Sequence, residues 1–143
     1  TVMSFERLMS IAGTGMNAQL VRMNTTASNL ANAGVVAGTD AGAFRAKRPV
    51  FQTLMDNAMS GAGNGFEGGV HVDSIIDDPK PVKQVFEPNN PLADENGYVY
   101  ASNVTEIEEL IEMMDASRAY QNNIEVISTA KQLMSRTLEV IKV

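Results

Sequence analysis

The chain contains no cysteine and no tryptophan, one histidine and only 6% aromatic residues. Without Cys there is no disulfide, no thiolate nucleophile and no Cys-ligated zinc site, and the redox compartment stays open. A chain that must enter an oxidising space without mispairing would also lack cysteine. The scarcity of aromatics speaks against a large globular core. At 143 residues and 44% hydrophobic content, however, the chain is too apolar for disorder and suits one ordinary domain or an extended molecule with a small one. Positive charge is short too: eleven Lys and Arg against 17 Asp and Glu leave a net charge of −6, which disfavours a nucleic-acid partner. No apolar run approaches the ~20 residues of a membrane span. The first residues, TVMSFERLMSIAGTGMNAQ, show no basic start followed by an apolar stretch. The expectation is a soluble protein, or one exported without a cleaved Sec signal, with no direct membrane insertion.

What is present is concentrated at the two ends. Over about residues 3–32, Met9, Ala12, Met16, Met23 and Leu30 form one stripe near a 3.5-residue period, with Gln19 and Thr26 as its polar members. Phe5, Leu8, Leu20 and Ala27 widen it. Gly13 and Gly15 weaken this helix by about 1 kcal/mol each unless a neighbouring backbone approaches closely. The C-terminal pattern is stronger. Leu110, Met113, Ala116, Tyr120, Ile124, Ile127, Ala130, Met134, Leu138 and Ile141 recur close to the spacing of a supercoiled pair. Asn103 with Glu106 reads as a capping box, and the following acids suit a helix start, as Arg136 and Lys142 suit its end. These patterns predict helices over about 3–32 and 103–141.

Between them the composition changes. AGVVAGTDAGA (33–43) and SGAGNGFEGG (60–69) are Gly-rich breaks, whereas FRAKRPVFQTLM (44–55), VHVDSII (70–76), VKQVF (82–86) and YVYAS (98–102) have strand character. The predicted fold is mainly α with a small β-rich insert, its long terminal helices packing as a coiled-coil-like pair. Its divisions are 1–33 and 103–143 as the axial helices and 34–102 as the insert.

Chemical motifs are weak. Gly63, Gly65 and Gly68 match G-x-G-x-x-G, but a dinucleotide site needs a strand before the loop and a helix after it, and here a Val-rich strand follows. His71, Asp73 and Asp77 offer one imidazole and scattered acids, a poor ligand set, and DDPKP reads as a turn. DENG (94–97) fails as a calcium loop, because the sixth and twelfth positions are Val99 and Thr105. No nucleophile stands with an oriented base. The expectation is no enzyme, no cofactor and no metal.

The helices instead carry signs of shared packing. All Met residues except Met55 and Met59 lie in the terminal segments, and Met suits contacts with non-identical neighbours. Thr26, Asn29, Asn32, Ser117, Gln121, Asn122 and Asn123 interrupt the stripes. An amide or hydroxyl packed there must find a partner, and so fixes register.

SNLAN (28–32), FRAKRPVFQ (44–52), PLADENGYV (91–99) and ASRAYQNNIEVISTAKQLMSRTL (116–138) together resemble the flagellar basal-body rod protein family. The resemblance covers nearly the whole chain in order. It implies a structural subunit of the periplasmic rod that polymerises through its terminal helices into the axial drive shaft, transmitting torque and enclosing the export channel. The implied partners are copies of itself, other proximal and distal rod proteins, the rod-to-membrane-ring adaptor and, in transit, the flagellar export apparatus. Carried onto this sequence, it makes Ser28, Asn29 and Asn32 the end of the first helix and its junction with the insert. Met9, Met16, Met23, Ala116, Arg118, Tyr120, Gln121, Ile124, Ile127 and Met134 become helix contacts within and between subunits. Arg45, Lys47 and Asp94 become polar contacts of the insert. SNLAN is followed by AGVVAGTDAGAF, without the Thr-x-Gly-Tyr or Thr-x-Gly-Phe turn of distal-rod and hook relatives, which points to the short proximal type. The rival reading, a secreted coiled-coil component or interaction module of a type III secretion needle-like system, shares the period but does not need SNLAN or PLADENGYV.

Overall fold

A computed structural model describes residues 2–54 and 68–141. Two long helices, α1 (Val2–Ala31) and α2 (Glu106–Ile141), enclose five short strands in sequence. The strands are β1 (Val36–Ala37), β2 (Lys47–Thr53), β3 (Val70–Asp77), β4 (Lys83–Phe86) and β5 (Tyr98–Ala101). The protein is mainly helical with a small antiparallel β subdomain, as its two kinds of sequence period predict.

The helices run antiparallel, because contacts climb one as they descend the other: Gly15 faces Asn123, Arg22 pairs with Glu112, and Asn29 bonds Glu109. Their seam is narrow. Ala12, Ala18, Thr25, Thr26 and Asn29 are buried from α1, and Glu109, Ala116 and Ala130 from α2. A Cβ on Gly15 would lie 3.2 Å from the Asn123 amide nitrogen, so the absent side chain is what lets the helices approach there.

Large apolar residues are mostly left outside. Leu8, Leu20, Leu110, Ile124, Met134 and Leu138 are exposed, so the apolar stripes are wider than the seam and only their small members fill it. Val99, Glu109, Asn29 and Ser102 are the largest fully buried side chains, which is a thin core for a chain of this length.

The two ends of α1 and α2 differ from the sequence reading in one instructive way. Asn32 closes α1 as expected: its side-chain amide donates to the Ser28 carbonyl (2.8 Å), satisfying one of the free acceptors of the last turn. Asn103, in contrast, does not cap α2. The helix begins three residues later, where the Thr105 carbonyl accepts the first helical bond from Glu109 N–H (3.1 Å). Asn103 is committed elsewhere, accepting from Ala46 N–H (2.7 Å) and donating to the Lys80 carbonyl (2.8 Å) and the Asp78 carbonyl (3.2 Å). Glu106, Glu108 and Glu109 occupy the first turn, where the helix dipole favours them, while the last turn holds no described basic residue.

The strands form two sheets. β2 and β3 pair antiparallel from Lys47–Asp77 to Thr53–Val70, with a register shift between Val50 and Phe51. β1, β5 and β4 form a second antiparallel sheet in that order. β1 falls in a segment that reads as a Gly-rich break; two residues carry no pattern of their own and are strand only because β5 pairs with them. Between β4 and β5, Asp94 organises the turn, its carboxylate accepting from the backbone N–H of Asn96 and of Tyr98 (both 2.9 Å). Gly97 follows at φ 82°, a left-handed conformation that suits glycine.

Candidate functional site

Two features stand out: a polar joint where the insert meets the helices, and an apolar outer face along the helices.

The joint is built around Asn29 and Glu109, both fully buried. Asn29 acts as a strand surrogate toward Lys47, accepting from its N–H (2.8 Å) and donating to its carbonyl (3.0 Å). The same amide also donates to Glu109 Oε2 (2.9 Å). Arg48 Nη1 lies 2.8 Å from the other Glu109 oxygen, without hydrogen-bond alignment, so the attraction there is electrostatic. Arg48 Nε also reaches Asp78 Oδ2 at 3.4 Å. One guanidinium therefore ties the start of α2 to the end of β3, while Asn29 ties the end of α1 to the start of β2. Ser102 completes the joint by donating its hydroxyl to the Ala33 carbonyl (2.7 Å). The Asp78 carboxyl sits below the ordinary aspartate range. The Lys80 backbone N–H donates to it and Arg48 adds a hydrogen bond and positive charge, outweighing partial desolvation.

The residues singled out in the sequence fall in different places. Asn29 and Lys47 are bonded to each other, and Asn32 closes on Ser28. Lys47 also pairs through its side chain with Asp77, and Arg45 with Asp40 (2.8 Å) and the Lys80 carbonyl (3.0 Å). Asp94 stands apart in the β4–β5 turn. Met9, Met16, Met23, Tyr120 and Ile127 are half-buried, Ala116 is buried, and Ser28, Arg118, Gln121, Ile124 and Met134 face outward. Gly63 and Gly65 lie outside the described residues; Gly68 leads into strand β3, not into a helix. The acids near His71 are engaged singly, Asp77 by Lys47 and Asp78 by Arg48, and among the described residues no His, Cys, Asp and Glu side chains group as a metal cluster.

Glu109, Arg48 and the part-buried Arg22–Glu112 pair are absent from the sequence reading. A signal for Glu109 exists: Glu109, Ala116, Asn123 and Ala130 follow one another at seven-residue steps down the seam. An acid in phase with two alanines marks a buried charge, where an apolar-only search skips it.

The outer face is the second feature. Ile107 is 71% exposed and Val140 77%, with Leu110, Ile111, Met114 and Leu133 also well exposed on α2. Single exposed apolar residues are ordinary; a file of them along one helix marks a surface meant to be covered. No described helix is long and apolar enough to cross a membrane, so a lipid core is not what covers it.

Two antiparallel terminal helices, a thin seam and unsatisfied outer stripes define a subunit of an assembly, and comparison with known proteins specifies which. Residues 9–38 match the family profile described as "Flagella basal body rod protein", and residues 95–140 the profile "Flagellar basal body rod FlgEFG protein C-terminal". The two matched segments are those that β1–β5 pairing and the Asn29–Glu109 bond join in space. The flagellar basal-body rod protein FlgC of Yersinia enterocolitica is 47% identical over 136 residues, spanning 95% of this chain and 97% of its own. FlgC of Salmonella typhimurium is 46% identical over the same length, and FlgC of Borreliella burgdorferi 32% over 145 residues, 94% of this chain and 95% of its own. The chain belongs to the family of flagellar basal-body rod proteins FlgC.

Proposed function

We propose that the chain is a structural subunit of the proximal flagellar rod, in the periplasm, and that it works by assembly and not by catalysis. The observation that carries this reading is full-length similarity to rod proteins in a fold whose largest apolar side chains face outward on both terminal helices. The relatives are rod proteins, so the rival secretion-needle component is not favoured. The helices of 1–33 and 103–143 line the axial tube that encloses the export channel and transmits torque, and the insert of 34–102 projects from it. Ser28, Arg118, Gln121, Ile124 and Met134, being exposed, are subunit contacts, with Met9, Met16, Met23, Tyr120 and Ile127 shared between the internal seam and neighbours. Other proximal and distal rod proteins and the adaptor to the membrane ring are the further partners, reached after export by the flagellar apparatus.

Deletion of the gene tests this. Expected are non-motile cells whose basal bodies lack a completed rod, with both restored by the intact gene. Normal swimming and complete rods in the deletion strain would overturn the reading.

A further inference from the structure

The outer face of α2 carries two apolar strips with matching spacing. Near the start, Ile107, Ile111 and Met114 project at i, i+4 and i+7; near the end, Leu133, Arg136 and Val140 project at i, i+3 and i+7. At 100° per residue both triplets point away from the seam of Glu109, Ala116 and Ala130.

Their borders differ in charge. Glu106, Glu108 and Asp115 flank the first strip, Glu109 and Glu112 being engaged by Arg48 and Arg22. Glu106 and Asp115 make no ion pair among the described residues, and Glu108 meets only the exposed Lys80 at 3.7 Å. The second strip holds Arg136 within it and Lys131 beside it, with Glu139 as the one acid from 131 to 141, and none of the three is ion-paired among the described residues. This end is also unsupported. The register set by Gly15–Asn123 and Asn29–Glu109 brings the start of α1 level with Arg136, so the last turn of α2 runs past its partner helix.

We infer that the end of α2 in one copy docks on the start of α2 in a second copy, an inference that rests on the rod reading above. Leu133 and Val140 cover Ile107, Ile111 and Met114, and Arg136 faces Asp115. The two strips are different surfaces, so the contact is head-to-tail: each copy keeps one strip free, and copies add in file instead of closing as a dimer. Leu133 follows Ile107 by about 26 residues, which staggers successive copies by roughly 39 Å along the helix.

The absence of cysteine makes the test clean. The full chain with Ile107→Cys and Val140→Cys together, and with each alone, is produced in cells lacking the native copy, and basal bodies are oxidised. Disulfide-linked dimers from the double variant, and from neither single variant, are expected, because only the head-to-tail register brings the two positions within bridging distance. As a second arm, Asp115→Arg and Arg136→Asp are each expected to lose incorporation into basal bodies, and the double reversal to regain it. Chains that enter basal bodies and support swimming but give no paired cross-link and no charge rescue would overturn the register while leaving the rod reading intact. Failure of even the unaltered chain to enter basal bodies would overturn the rod reading, and the register with it.

Discussion

Arg48 and Glu109 form the joint's only contact between opposite charges in which one partner is wholly buried. Removing one partner of such a pair strands the other, which is costlier than never having had the pair. Arg48→Met should therefore destabilise the folded chain by about 3 kcal/mol in denaturant unfolding. Arg48→Met with Glu109→Leu should cost less than the two single changes summed, because the stranded charge is gone. Asn29 and Asn32 separate in the same way. Asn29→Leu leaves both backbone groups of Lys47 and one Glu109 oxygen without their partner, a loss of about 3 kcal/mol. Asn32→Leu removes one exposed bond to Ser28 and should cost under about 1 kcal/mol. Asp78 gives a pH dependence. Its carboxyl is lowered by folding, so its contribution is complete above the ordinary aspartate range and is lost as pH falls through the folded value. Asp78→Asn should flatten the acid limb of a stability–pH curve, and an unchanged limb would contradict this. At this scale the sequence was legible where a side chain serves its own neighbourhood, as Asn32 and Asp94 do. It was silent where a side chain crosses to a distant segment: Asn103 looks like a cap because it precedes a helix, yet its partners are Ala46, Asp78 and Lys80.

The helices show why period alone overstates a seam. Both stripes were legible, and both helices lie where the periods place them, within three residues at each end. The seam, though, takes the small and polar members, since close approach of two backbones leaves no room for Leu or Met between them. Gly13 and Gly15 make that difference measurable. A Cβ at Gly13 meets nothing within 4 Å, so Gly13→Ala should stabilise by about 0.5–1 kcal/mol through helix propensity alone. Gly15→Leu should destabilise by about 2 kcal/mol, because the side chain must displace Asn123 and part the helices. Thermal melts of the two variants should shift in opposite directions. The strands followed their alternating patterns, except β1, whose two residues have no pattern to read and depend on Val36–Ala101 and Ala37–Tyr100 pairing.

At the scale of the molecule, a chain whose largest wholly buried side chain is a carboxylate keeps little apolar stabilisation for itself. The area that would build a larger core in a monomer is turned outward, where neighbouring copies and other rod proteins gain from burying it. The joint then has a mechanical sense: Asn29, Arg48, Asn103 and Glu109 lock the insert to the helices, so torque taken up by one is passed to the other. The most direct measurement is thiol labelling of the chain carrying Ile111→Cys, its sole cysteine. The free chain should react with a maleimide as an exposed thiol does, and the same residue in isolated basal bodies should be protected. Equal labelling in both states would show that the outer face stays in water after assembly, and would contradict the account.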